Sequence, residues 1–196
     1  MTTSSPLREG VRRAYGAAAD DPQGDHPFPL GRRVAESLGY PSGQLAKLPE
    51  VSVGAFTGVS NVAVIADIRP GAFVLDLGCG AGVDSMLAAE KTGPSGRVVG
   101  VDFSSSMIDR ARQGATDAGF RNIEFLEADA ENLPLADTSV NVALVNGIFN
   151  LNPMRDAIFR ELARVVRPGG VVYAAELILR GAAQKSEAVD ESNWFA

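Results

Sequence analysis

Four polar side chains, Asp76, Asp102, Asp129 and Asn146, recur at matching places along this 196-residue chain. Each lies at or just beyond the end of a short apolar run: Phe73 to Leu77, Arg97 to Val101, Asn122 to Leu126 and Val140 to Val145. Runs of that length and composition read as strands of a parallel sheet covered on both faces. Their polar ends then meet at one edge, where open α/β sheets bind ligands. Carboxylates there can accept hydrogen bonds from the hydroxyl and amino groups of a nucleoside. Asp102 follows a glycine turn by the ~20-residue interval at which an acid takes the two hydroxyls of a ribose. Any one of these acids alone reads equally as a helix cap or a solvated loop acid. Their common register is what favours a ligand.

The glycine turn is Asp76-Leu77-Gly78-Cys79-Gly80-Ala81-Gly82. Glycine permits positive φ and, lacking Cβ, lets backbone press against a bound molecule. Ser85 to Lys91, rich in Ala, Leu and Met, continues as a helix. Strand, glycine turn and helix form the opening of a nucleotide crevice. A nicotinamide or flavin site would need a small residue at position 83, where valine stands, and its pyrophosphate would be repelled by Asp76.

On these residues, 70–179 resemble a class I S-adenosylmethionine-dependent methyltransferase. The first motif is Asp76, Gly78, Gly80 and Gly82, and Arg167-Pro168-Gly169-Gly170 matches the turn before the fifth strand. The resemblance implies S-adenosylmethionine as cofactor. It places Asp102 on the ribose, Asp129 near the adenine amino group, and Asp76, Gly78, Cys79, Gly80, Gly82, Ala130 and Asn146 around the ligand, Cys79 through its amide. Phe103 and Met107 are expected to pack on adenine, or to be ordinary core residues. Asp84 either complements the positive end of its helix or reaches back to the N-terminal segment. Ser104 is the expected N-cap of the following helix. Asn146 to Asn152 should border the transferred methyl, with Tyr15, Phe149 and Asn150 as substrate contacts.

The implied fold is an α/β, Rossmann-like, doubly wound and mostly parallel sheet in the order 3-2-1-4-5, with helices on both faces. Residues 1–69 are expected to form a helical lid and substrate wall, 70–180 the cofactor-binding core, and 181–196 a truncated tail. Leu7 to Ala19 has one face of Val11, Ala14, Tyr15 and Ala18 and predicts a helix. The Asp20 to Pro29 stretch, holding three prolines, breaks it. His26, the only histidine, reads as a loop residue. Gly31 to Leu38 and Ser42 to Leu48 predict helical turns. Val51 to Asn61 predicts a flexible loop before a helix over Val62 to Asp67, and Asp156 to Val166 a helix with Ile158, Leu162 and Val165 toward the sheet.

Within the family, Tyr15-Gly16, the Leu45 to Pro49 turn, the glycine loop before Asn61 and Asn146 to Leu151 are similar to the arsenite methyltransferase branch. That branch holds trivalent arsenic with cysteine thiolates. Here Ala55, Phe56, Thr57 and Gly58 occupy one such area and Gly147 the other, and Cys79 is the chain's only cysteine. One thiolate cannot chelate a soft ion, so no metal site is expected.

A net charge of −6 without a basic stripe argues against nucleic acid as partner. No apolar run approaches the length of a membrane span, and the lone cysteine suits the cytoplasm. The expected activity is methyl transfer to a small-molecule acceptor by in-line displacement. The alternative is a non-catalytic protein that binds S-adenosylmethionine or its demethylated product. The family adds two strands after the fifth, whereas only 17 residues follow Leu179. The fifth strand, Val171 to Leu179, should therefore be an exposed edge, to be covered by the tail, by a second copy in a homodimer, or by a C-terminal continuation.

Overall fold

The computed structural model of the chain describes residues 6–178. In chain order the elements are α1 (Pro6–Asp20), α2 (Arg32–Ser37), α3 (Ser42–Leu45), α4 (Glu50–Val53), α5 (Val62–Ile65), β1 (Phe73–Leu77), α6 (Val83–Thr92), β2 (Arg97–Asp102), α7 (Ser105–Asp117), β3 (Ile123–Glu127), β4 (Val140–Asn146), α8 (Arg155–Val165) and β5 (Val166–Ala175). The sheet has five strands in the order β3-β2-β1-β4-β5, and every neighbouring pair is parallel. The chain winds outward from β1 through β2 to β3, then returns to the other side of β1 for β4 and β5. The reversal falls between β1 and β4, and the crevice opens beyond their C-terminal ends.

Alternation along the strands splits the core into two layers. On one face Val74, Val98, Val142 and Leu144 pack with Val62 and Ala63 of α5 and with Met86 and Leu87 of α6. On the other, Leu75, Leu77, Val99, Val101, Ala143 and Val145 pack with Ile158, Leu162 and Val165 of α8. Each buried aliphatic side chain contributes about 1.5–3 kcal/mol relative to exposure, so these two layers hold the central strands firmly in place.

Several boundaries differ from the sequence expectation. The stretch read as a flexible loop, Val51 to Asn61, begins inside α4. Pro49 caps that helix in an extended conformation, and Ser52 and Val53 are fully buried. The burial is against α7, where a Cβ at Gly114 would come within 2.1 Å of Ser52 Oγ. The expected turn Arg167 to Gly170 is instead an interruption inside β5. Val166 pairs with Val140, the register shifts, and pairing resumes at Val142 with Val171. The strand ends at Ala175, earlier than expected, and Leu179 together with the predicted tail lies outside the described residues. β5 is an edge strand among the described residues, with Val171 and Val172 46% and 41% exposed.

Candidate functional site

A crevice open to solvent lies across the C-terminal ends of β1, β2 and β3. Its floor is formed by Leu77, Gly78 and Gly80 after β1, Val101, Asp102 and Phe103 after β2, and Ala128, Ala130 and Glu131 after β3. One face of α1, Arg8, Val11 and Tyr15, forms its roof, and Thr57, Asn146, Gly147, Ile148, Leu151 and Asn152 close the side. A smaller chamber adjoins it, lined by Asp76, Asp84, Cys79 and Phe56, and shares Thr57, Gly78, Gly80 and Asn146 with the larger one.

Asp102 fastens the floor. Its carboxylate accepts hydrogen bonds from the Gly80 amide (2.9 Å) and the Ser104 amide (2.9 Å), tying the glycine turn of β1 to the end of β2. Removal from water pushes its pKa up despite those donors. Gly80 has φ +51°, and a Cβ there would meet nothing within 4 Å, so its bare face looks into open space. Ser104 caps α7 as expected, accepting from the Met107 amide.

Asp76 is 1% exposed, and its carboxylate accepts from Ser85 Oγ at 2.6 Å. Its pKa is pushed up to about 8, first by burial and then by the neighbouring Asp84 carboxylate. Asp84 does not merely complement its helix end. It accepts from Tyr40 Oη (2.7 Å) and Asn146 Nδ2 (2.8 Å), which joins α6 to the N-terminal segment and to β4. The Asn146 side chain also accepts from the Val59 and Ser60 amides and donates to the Ser60 carbonyl. A residue expected on the cofactor therefore spends its hydrogen bonds on the loop that walls the chambers, and offers the cavity only its flank.

Other expected site residues fall elsewhere. Met107 is fully buried among Ala18, Ala19, Ala55 and Ala81 and does not line the cavity, so the core alternative holds. Gly82 begins α6, where a Cβ would come to 3.0 Å from Phe125, a packing constraint and not a ligand surface. The Cys79 amide donates to the Val101 carbonyl (3.0 Å) instead of facing a ligand. Its thiol packs with Ile108, Ala111 and Phe125, and burial pushes its pKa well up. Asp129 stands outside the cavity, paired with Arg8. Phe149 stacks on Phe159 at 4.7 Å, and Asn150 donates to the Leu177 carbonyl, so neither reaches the cavity. Phe103 does line it, under the Arg12 guanidinium at 5.4 Å, and Tyr15 lines it while stacked on Phe28. His26 is a loop residue, donating from Nε2 to the Asp21 carbonyl.

Sequence reasoning missed Arg8, Glu131 and Tyr40. Arg8 follows the same helical face as Val11 and Tyr15, which is the signal that could have found it. Tyr40 carries no local signal, since its partners are distant in sequence.

Fold and crevice define a doubly wound α/β protein whose open cleft lies across the ends of its first three strands. Residues 68–194 match the family model described as a methyltransferase domain, and the chain belongs to that family. The arsenite methyltransferase of Halobacterium salinarum is 39% identical over 145 residues, 74% of this chain and 37% of that protein. A demethylmenaquinone methyltransferase of Listeria monocytogenes is 36% identical over 53% of this chain and 44% of its own length. The solved structure of an arsenic(III) S-adenosylmethionine methyltransferase from Chlamydomonas reinhardtii superposes with a TM-score of 0.55 at 30% identity, covering 72% of this chain and 48% of that one. The chain thus spans about two fifths of the length of the curated relatives it matches.

S-adenosylmethionine is the cofactor of this family. The residues present suit it: a partly desolvated carboxylate at the end of β2, a glycine face free of any Cβ contact beside it, and an apolar slot between Phe103, Ala128 and Ala130. No helix among the described residues is long and apolar enough to cross a membrane.

Proposed function

We propose that the chain is the cofactor-binding part of a methyltransferase acting on a small, largely apolar acceptor. The observation that carries this is the continuous cavity in which the Asp102 carboxylate and the open face of Gly80 lie side by side. S-adenosylmethionine supplies an electrophilic methyl group on a sulfonium. The work left to the chain is orientation and exclusion of water.

Asp102 accepts the ribose hydroxyls, and Phe103, Ala128 and Ala130 hold the base by its faces. Asp76, Gly78 and Gly80 border the amino-acid tail in the smaller chamber, where a cationic ammonium would draw the proton off Asp76 and pair with its carboxylate. The roof helix brings Val11 and Tyr15 over the ligand, opposite Ile148 and Leu151, and this apolar pair of walls is where an acceptor sits. Thr57 and Gly147 stand in the wall where the arsenite branch carries thiols, and the one thiol is buried and held protonated. A metalloid acceptor held by this chain is therefore not our reading.

Two measurements test the proposal together. Titration calorimetry with S-adenosylhomocysteine should show saturable binding at one site. Tritiated S-adenosylmethionine offered with a panel of small phenols, quinols and amines should pass label to at least one of them. Absence of binding would remove the cofactor reading. Binding without transfer to any acceptor would leave a binding protein and remove the enzymatic one.

A further inference from the structure

The two chambers meet at Thr57, Gly78, Gly80 and Asn146, which line both. The donors of the other three are already engaged. The Gly78 amide donates to the Val101 carbonyl at 2.8 Å, and the Gly80 amide to Asp102 at 2.9 Å. Asn146 Oδ1 accepts from the Val59 and Ser60 amides, while Nδ2 donates to the Ser60 carbonyl and to Asp84. The Thr57 hydroxyl differs, for it makes no hydrogen bond to any described residue. Its backbone is nevertheless held on both sides. The Phe56 carbonyl accepts from the Gly31 amide at 2.8 Å, and the Val59 amide is fixed on Asn146. A β-branched side chain on a fixed backbone has few rotamers, so this hydroxyl is a standing feature of the junction.

We infer that the Thr57 hydroxyl oxygen faces the methylsulfonium and distinguishes the methylated cofactor from its demethylated product, an inference that rests on the cofactor reading above. The cofactor's sulfur is bonded both to the ribose carbon and to the amino-acid tail. With the nucleoside along the larger crevice and the tail in the smaller chamber, the sulfur lies where the two meet. Its positive charge spreads onto the methyl hydrogens and makes them weak hydrogen-bond donors, and a hydroxyl oxygen has two lone pairs to accept them. The demethylated product is a neutral thioether whose sulfur is itself a weak acceptor, so it offers the oxygen nothing comparable. A neutral oxygen does this mildly. A carboxylate in its place would hold the charged ground state harder than the transition state, in which positive charge is leaving the sulfur.

The test titrates S-adenosylmethionine and S-adenosylhomocysteine by calorimetry into the full chain and into Thr57→Val and Thr57→Ser. Valine keeps the shape of threonine and removes the oxygen; serine keeps the oxygen and removes the methyl. In Thr57→Val, affinity for S-adenosylmethionine should fall about two- to fivefold relative to that for S-adenosylhomocysteine, the size of one or two weak hydrogen bonds. Thr57→Ser should keep the parent ratio. The comparison is internal to each variant, so a general loss of affinity cancels. An analogue with an ammonium on carbon in place of the methylsulfonium gives a stronger signal. Its N–H donors make a charge-assisted bond to the same oxygen, and its loss in Thr57→Val should reach about tenfold. An unchanged ratio in Thr57→Val, or a ratio that falls equally in Thr57→Ser, overturns the assignment. Failure of the parent chain to bind either S-adenosyl ligand overturns the cofactor reading and this inference with it.

Discussion

At Asp102 a single carboxylate serves both the scaffold and the ligand. It already holds the Gly80 and Ser104 amides, and its remaining lone pairs face the cavity. Charge-assisted hydrogen bonds contribute about 1.5–3 kcal/mol each, so Asp102→Ala should weaken S-adenosylhomocysteine by tenfold or more in calorimetry. Met107 makes the opposite case. Met107→Ala should cost about 2–5 kcal/mol in urea unfolding while leaving ligand affinity within about twofold, because the side chain fills the core and not the site. Asp76 predicts a pH effect. Its folded pKa, about 8, lies above the unfolded value of 3.8, so the folded chain holds a proton that the unfolded chain has released. Its contribution to stability is therefore complete below pH ~4 and is lost as pH rises to ~8. Asp76→Asn cannot ionise, and its melting temperature relative to the parent should rise between pH 5 and pH 9 by at least about 2–4 °C, the equivalent of ~1 kcal/mol in a chain of this size. At this scale the sequence exposed identities better than orientations. The spacing of Asp76, Gly80 and Asp102 was legible because strand ends share an edge. The amide of Cys79 and the side chain of Asn146 were not, because their partners, Val101 and the 59–60 loop, are set by packing between distant segments.

The strands and long helices follow from local pattern, and the wall of the site does not. The runs over β1, β2 and β4 are mostly apolar, as a two-sided parallel sheet requires, so their direction could be read from them, while the strand order came from the family resemblance. The wall loop before Asn61 looked flexible by its glycines. It is nevertheless anchored: Asn146 takes both the Val59 and Ser60 amides, and Tyr40 and Asn146 together hold Asp84. Gly58 is there for closeness, since a Cβ would come to 2.6 Å from Asn146 Nδ2. Tyr40→Phe removes the donor to a buried carboxylate and should cost about 1–3 kcal/mol in urea unfolding. Hydrogen exchange should speed at the amides of Val59 and Ser60 in that variant, and unchanged protection there would contradict the anchoring role.

At the scale of the whole molecule, β5 is an open edge of the sheet among the described residues. The exposed Val171 and Val172 lie on β5, and Leu177 and Ile178 just beyond it are 61% and 83% exposed. An uncovered apolar edge strand invites pairing with another chain. Val172→Lys is accordingly expected to lower the apparent mass in light scattering at high protein concentration, with ligand affinity intact. Equal mass for parent and variant would show that this edge does not associate.

The roof over the cavity is fastened differently from its floor. Where the floor is held by buried amides, α1 is tied down at Arg8 by Asp129 and Glu131, with Arg8 and Asp129 side chains 26% and 49% exposed. Dissolved ions reach such a pair: the screening length falls from about 8 Å at physiological ionic strength to about 3 Å at 1 M. Residence time thereby becomes a function of the electrolyte. A ligand under this helix should escape faster in concentrated salt, while the carboxylate at the end of β2 keeps its grip.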